Sequence, residues 1–322
     1  MAPRIVLLAL VLPSALEATP SLRRGAAAEE AAPAAPAASR GLKENSHYAM
    51  RLAHNFPRHP DYGACAVDAD ADDEKTLEKM GYFAEARKKA TEKYGPGANW
   101  FQNFWEPCVG CANYKRVGPR GDGGKWLCDP DVLLEKPTCR VLSVGSNNDF
   151  SYEEAIVRAY GCLVHVYDYT SDPPKDDLGG RIKFFRVGLA ATDGGRFLTL
   201  RTMLDRLSAD APERTIELVK VDCDGCEIAA LVDHADAAAV LKERVLELNL
   251  EVHFRYPTIG TDRKDRGDMK RRAARMKRVW ARLHEDADMV PYSKEANIQY
   301  SRGDSVEYSF ANKKLIVPDS LE

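Results

Sequence analysis

After Cys139 the chain alternates short runs of β-branched and aromatic residues with amphipathic stretches, and this alternation restricts the fold more than any other feature. Arg140–Val144, Leu163–Tyr167, Ile182–Arg186, Ile216–Val221 and Val245–Val252 read as strands, whereas Tyr152–Tyr160 and Thr199–Leu207 read as helices. Strand and helix in turn are the pattern of an α/β fold with a mainly parallel sheet. Between Asp268 and Glu285, Met269, Ala273, Met276, Trp280 and Leu283 step by four and three, which puts them on one face of a further helix. Two last strands, near Met289–Tyr292 and Val306–Ala311, can pair antiparallel at an edge.

Ligands of such a sheet bind outside the carboxyl ends of the strands, so the residues that follow each strand carry the chemistry. The first strand runs into Gly145-Ser-Asn-Asn-Asp149. A glycine there lets a ligand approach the backbone, with the amides of the turn toward it. The second strand ends in Asp168, one βα unit later, where an acid can accept hydrogen bonds from both hydroxyls of a ribose. The missing Gly-x-Gly-x-x-Gly argues against a dinucleotide and for a nucleoside with a short tail. The fourth strand delivers Asp222-Cys-Asp-Gly-Cys-Glu227, three carboxylates able to hold an amine, act as a base or bind a metal. Glu251-Val-His253 closes the fifth, with both polar side chains on one side of the strand. The Cys223-x-x-Cys226 pair lacks the setting of a thioredoxin-type motif, so each is expected to pair elsewhere or to stay a buried thiol.

The rest of the chain bears on address and stability. Met1-Ala-Pro-Arg4 is basic, Ile5–Leu12 is apolar without interruption, and Pro13–Ala18 is rich in small residues, the make-up of a secretory signal peptide; an uncleaved anchor or a bipartite organelle leader are the alternatives. Ala- and Pro-rich residues 19–43 read as a linker, and residues 44–138 as a helical and then cysteine-rich region, with a helix from Asp72 to Tyr94 and an aromatic cluster at Asn99–Trp105. Eight cysteines, an even number, fit an oxidising lumen, and disulfides are favoured over a zinc site built on Cys108-x-x-Cys111. With 46 basic and 49 acidic side chains the net charge of −3 gives no general pull toward nucleic acid or an anionic membrane. The basic run from Arg263 to Arg282 reads as the solvated face of its helix rather than as a phosphate or sulfate footprint.

Three segments carry a resemblance. Arg116-Val-Gly-Pro-Arg-Gly-Asp-Gly-Gly-Lys-Trp-Leu-Cys-Asp-Pro130, Cys139–Glu153 and Val219-Lys-Val-Asp-Cys-Asp-Gly-Cys-Glu227 resemble the eukaryotic methyltransferase-like domain related to the FkbM-type methyltransferases. Glu251–Phe254 and Lys294–Ile298 are similar to its later landmarks, and Gly-Asp-Gly-Gly-Lys-Trp is the most specific element. The resemblance implies a Rossmann-like sheet of seven mostly parallel strands over residues 139–322, behind an N-terminal cysteine-rich cap, with S-adenosylmethionine (SAM) at the Gly145 loop. It implies Gly145, Asn147 and Glu153 around the methionine part, Asp168 at the ribose and Asp222 on the pocket floor, with Ser146 also among the cofactor-binding residues. The loop departs from ordinary SAM-binding loops in lacking a second and third glycine, and Asp224 and the two cysteines stand where such families usually have Glu-Gly-Ala-Glu.

The reading is therefore a SAM-dependent methyltransferase, O-directed, acting on a glycan or small molecule in the secretory pathway, secreted or in the Golgi or ER lumen. Asp222, Glu227, Glu251 and His253 are the candidate catalytic groups, with no metal and no nucleic-acid partner expected. The alternatives are a metal-dependent glycosyltransferase using Asp222-x-Asp224 and a methyltransferase-like protein that only binds.

Overall fold

The computed structural model describes residues 107, 111, 113–120, 122–209, 214–234, 236–253, 269–297 and 305–316. They lie in the second of two units, Pro36–Glu322. The leader, the linker, the Asp72–Tyr94 helix, the Asn99–Trp105 cluster, Cys65, Cys108, Phe254, Ile298 and the start of the basic run (Arg263, Lys264, Arg266) lie outside the described residues.

Among the described residues a hairpin comes first, β1 (Tyr114–Val117) against β2 (Lys125–Cys128). The main sheet has seven strands: β3 (Arg140–Val144), β4 (Leu163–Tyr167), β5 (Ile182–Phe185), β8 (Ile216–Val221), β9 (Val245–His253), β10 (Met289–Ala296) and β11 (Ser305–Asn312). Their order is β10-β11-β9-β8-β3-β4-β5, and only β11 runs antiparallel to its neighbours. A small parallel pair, β6 (Gly188–Leu189) and β7 (Phe197–Leu198), lies apart from it. The expected α/β class, strand number and antiparallel edge pair are all found. Interleaved helices are α1 (Ser151–Tyr160), α2 (Leu200–Leu207), α3 (Cys226–Leu231), α4 (Ala237–Arg244), α5 (Met269–Ala281) and α6 (Lys313–Ile316). The helix expected to reach Glu285 passes at Arg282 into a π turn.

Strands covered on both faces need apolar side chains at successive positions. Val141 and Leu142 accordingly enter different core clusters, as do Leu218 and Val219. One cluster, with Leu142, Val219, Leu248 and Leu250, packs under α2, α4 and α5 through Leu204, Leu241 and Trp280. The other, with Val141, Val164 and Leu218, takes in Ile156 of α1 and Leu127 of the hairpin. Two disulfides reinforce this second side, Cys139–Cys162 across the starts of β3 and β4 and Cys111–Cys128 at the hairpin. After β3 the chain builds β4 and β5 on one side, then crosses to β8 on the other, and this switch point opens a crevice at the carboxyl ends of β3 and β8.

Candidate active site

The turn after β3 forms one wall of the crevice. Gly145 has φ +83°, and a Cβ built there would fall 1.6 Å from the Asp222 carbonyl oxygen, so only glycine lets the turn lie against the end of β8. Asn147 and Asn148 follow at φ 47° and 61°. This backbone is held by Asp168. One carboxylate oxygen accepts from the Ser146 and Asn147 amides at 2.8 and 3.0 Å and from the Ser146 and Ser171 hydroxyls at 3.2 and 2.7 Å. The other accepts from the Thr170 amide and hydroxyl at 2.8 and 2.7 Å and from the Ser171 amide at 3.1 Å. Burial works against ionisation here, but the hydrogen bonds from Ser171, Thr170 and Ser146 outweigh it and hold Asp168 well below the usual carboxylate range. The turn amides thus face Asp168, and the acid organises the loop. Glu153 lies fully buried in the first turn of α1, accepting from the Ser143 hydroxyl with the Lys220 ammonium 3.7 Å away, and Lys220 donates to the Gly145 carbonyl.

Across the crevice the polar side chains form a charged cluster. Period two along β9 puts Glu247, Asn249, Glu251 and His253 on the face toward the hairpin, and β11 sets Glu307 directly opposite Glu251. Oxygens of Asp222, Glu251 and Glu307 come within 4.8 Å of one another, close enough to share a cation. The cation is Lys125: its ammonium donates to Asp222 at 3.0 Å and to Glu307, with its side chain 2% exposed. Burial would lower the Lys125 pKa, yet Asp222, Glu307 and Glu251 together hold it above the ordinary lysine value. Burial likewise opposes ionisation of Asp222, but Lys125 and Lys220 keep it well below the carboxylate range. Burial and the neighbouring Asp222 charge push Glu251 up to about 9, so at neutral pH it carries a proton, hydrogen-bonded to Asp222. Burial raises Glu307 as well, against the pull of Lys125.

His253 ends this row. Its Nδ1 lies 2.9 Å from Glu227 and its Nε2 3.2 Å from Asp224. Burial disfavours its charge, but Asp224 and Glu227 overcome this and hold it well above the ordinary histidine value. His253 thus links Asp224 and Glu227 at the end of the cluster. Glu227, 1% exposed, also accepts from the Gly225 amide at 2.7 Å. Cys223 and Cys226 form a disulfide with each other, which corrects the expectation that each pairs elsewhere or stays a thiol. Two successive positive φ angles, 54° at Asp224 and 110° at Gly225, bring the cysteines together and turn Asp224 onto His253. Asp222 and Asp224 consequently diverge, one to Lys125 and the other to His253, and do not form the joint metal clasp that a glycosyltransferase reading requires.

Lys125, Lys220 and Glu307 escaped the sequence reading. Lys125 was in view within Gly121–Trp126, but nothing in a sequence announces a buried lysine, the rarest place for that residue. Glu307 had a signal: Ser305, Glu307 and Ser309 alternate with apolar residues in the last strand.

A family model described as a methyltransferase domain, Methyltransf_22, matches residues 69–312. The chain belongs to this family. Solved structures similar to it include the 1,6-didemethyltoxoflavin-N1-methyltransferase of Burkholderia thailandensis, 13% identical over 57% of this chain and 76% of that one, with a TM-score of 0.31. An O-methyltransferase family protein of the same organism is 15% identical over 57% of this chain and 55% of that one, TM-score 0.29. The fibrillarin pre-rRNA processing protein of Methanococcus jannaschii is 13% identical over 62% and 82%, TM-score 0.31. No curated protein matches the sequence.

A methyltransferase domain implies SAM as methyl donor, and the crevice can be tested against it. Gly145, whose turn packs against the Asp222 backbone, lies at the switch point of the sheet, where a nucleoside enters an α/β fold. Ionised Asp222 beside it suits a sulfonium cation. The residues of this methyltransferase domain fit the donor, with Gly145, Ser146 and Asn147 as the loop that would hold it and Asp168 as the anchor of that loop.

Proposed function

We propose that the protein is a SAM-dependent O-methyltransferase of the secretory pathway, acting on a hydroxyl of a small molecule or glycan. One observation carries this reading: three carboxylates whose oxygens lie within 4.8 Å of one another, Asp222, Glu251 and Glu307, stand beside the Gly145 turn. When bound, SAM supplies an activated methyl group. In-line positioning supplies most of the rate of such a displacement. A hydroxyl acceptor must also lose a proton, whereas an amine can attack through a free lone pair, so a proton-accepting cluster is the feature a hydroxyl requires. Asp222 is the ionised member able to accept a hydrogen bond from that hydroxyl, and the trio takes up the proton as a unit. His253 and Glu227 brace Glu251 from behind. Three disulfides among the described residues favour an oxidising compartment, in keeping with the leader read at Met1–Ala18.

The test is release of S-adenosylhomocysteine (SAH) from SAM with a panel of hydroxyl and amine acceptors. Hydroxyl-dependent release that drops about 100-fold or more in Asp222→Asn supports the reading. Release with amines alone would overturn the O-directed part. SAH binding with no turnover on any acceptor would make the protein a binder.

A further inference from the structure

We propose that the Cys223–Cys226 disulfide is a thiol-exchange site whose redox state sets the turn at Gly145. A small thiol of the glutathione class reduces it; the dithiol form loosens the turn, and reoxidation restores it. The exchange stands on the cysteine pair itself, while its effect on donor binding rests on the reading above.

Access sets this bond apart. Cys223 is half-buried, whereas Cys226 is buried, as are both sulfur carriers of the Cys139–Cys162 bond. An incoming thiolate therefore meets the Cys223 sulfur and forms a mixed disulfide with it. Cys226 leaves with the electron pair of the broken S–S bond and takes the proton that the thiol gave up. A second thiol then attacks the small-molecule sulfur of the mixed disulfide and releases Cys223 as a thiol. One protein disulfide and two small thiols thus give one protein dithiol and one small-molecule disulfide. Stapling does not explain the bond: a separation of three constrains the unfolded chain less than the separations of 17 and 23 at Cys111–Cys128 and Cys139–Cys162. The reduced pair is provided for as well. Glu227 Oε2 lies 3.6 Å from the Cys223 sulfur, within reach of a thiol hydrogen that the disulfide lacks.

The bond closes over a backbone conformation that the chain does not favour by itself. Between the cysteines Asp224 has φ 54° and Gly225 φ 110°, a region that glycine enters freely and an aspartate only at a cost. The contact of Asp224 with His253 at 3.2 Å does not replace the bond, because the aspartate side chain is 70% exposed and water screens the pair. Once the sulfurs part, Asp224 is free to leave the left-handed region, and the backbone beside it rotates. The Gly145 turn rests on that backbone. A Cβ at Gly145 would stand 1.6 Å from the Asp222 carbonyl oxygen and 3.3 Å from the Cys223 Cα, and the Asp222 amide donates to the Val144 carbonyl at 2.9 Å. The first cysteine of the pair therefore lies against the loop that carries Ser146 and Asn147, and a change of its backbone is felt there directly.

The experiment is a graded reduction of the full-length oxidised protein with reduced glutathione, at fixed pH and with two readouts. Alkylation and peptide mass mapping follow each disulfide, Cys223 and Cys226 falling together on the tryptic peptide Val221–Lys242. Amide hydrogen exchange over Val144–Asp149 follows the turn. Cys223–Cys226 is expected to open at glutathione concentrations that leave Cys139–Cys162 closed. Exchange at the turn should quicken about tenfold or more as it opens, and slow again when oxidised glutathione is added. Cys223→Ser with Cys226→Ser should show the fast exchange without any reductant and no further response to it, which separates this bond from Cys111–Cys128. The proposal is overturned if Cys223–Cys226 stays closed throughout or opens no earlier than Cys139–Cys162. Turn exchange within about twofold of the oxidised protein, in the reduced wild type or in the double variant, overturns it too, and the wild type decides if the variant does not fold. Calorimetry with SAH on the two forms reads the methyltransferase assignment separately. Affinity about tenfold weaker after reduction joins the exchange to donor binding, and equal affinity overturns that link. No SAH binding by either form would refute the assignment, with the exchange site and the turn still decided by the first two readouts.

Discussion

Gly145→Ala should damage both the fold and the donor site, and the structure sets the size of the effect. At φ +83° an L-residue costs about 1–2 kcal/mol over glycine. The added Cβ would also stand 1.6 Å from the Asp222 carbonyl oxygen, a backbone atom that cannot rotate aside. Separating the two segments has the cost of overpacking, about 1–3 kcal/mol, so the sum is about 2–5 kcal/mol. Urea unfolding at fixed pH measures it as a lower midpoint with unchanged slope. The displacement is transmitted to function because the backbone that must move carries the Asp222 carboxylate away from Lys125, so SAH affinity should fall at least tenfold beyond any loss of folded protein. A variant within about 0.5 kcal/mol of wild type, with unaltered SAH affinity, would refute the claim that the turn and the end of β8 form one rigid cradle.

Burial raises the Glu247 carboxyl to about 7 from 4.5, so the native state binds the extra proton and stability should decline as pH rises through that window, by about 3 kcal/mol in all. Glu247→Gln should flatten that decline in urea midpoints measured from pH 4.5 to 8, and an unchanged slope would count against it. Replacing both Cys139 and Cys162 by Ser opens a loop with a sequence separation of 23 and should cost about 3 kcal/mol, read as a lower thermal midpoint. Asp168→Ala strips the acceptor from the Ser146, Asn147, Thr170 and Ser171 donors; a loss of about 3 kcal/mol and weaker SAH binding by calorimetry are expected, and a neutral result would show that the loop does not depend on it.

The central strands were legible because they are buried on both faces. Val141, Leu142, Val219 and Leu218 all need to be apolar, which writes an unbroken run into the sequence. Strand ends were legible for the same reason: Gly145, Asp168 and Asp222 follow directly from where those runs stop. The hairpin was not, since two four-residue strands holding Lys125 and Arg116 look like a polar loop until tertiary bonds to Asp222, Glu307 and Glu295 pair those charges. Helix α4 has too little hydrophobic patterning in Ala237-Ala-Ala-Val-Leu-Lys-Glu-Arg244 to mark a face, although Val240 and Leu241 are fully buried. The Asp168 position could be read, but not its partners, because they depend on the left-handed turn at Asn147 and Asn148. The Cys223–Cys226 bond was missed for a related reason: it depends on two consecutive positive φ angles, one of them at an aspartate.

The account rests on a SAM pocket closed on one side by the Gly145 turn and on the other by Asp222. The most direct test is a crystal structure of the protein soaked with SAM. Density for the donor in the crevice between β3 and β8, with its sulfonium toward Asp222, is the predicted result. Donor bound elsewhere, or an empty crevice at saturating SAM, would contradict the account.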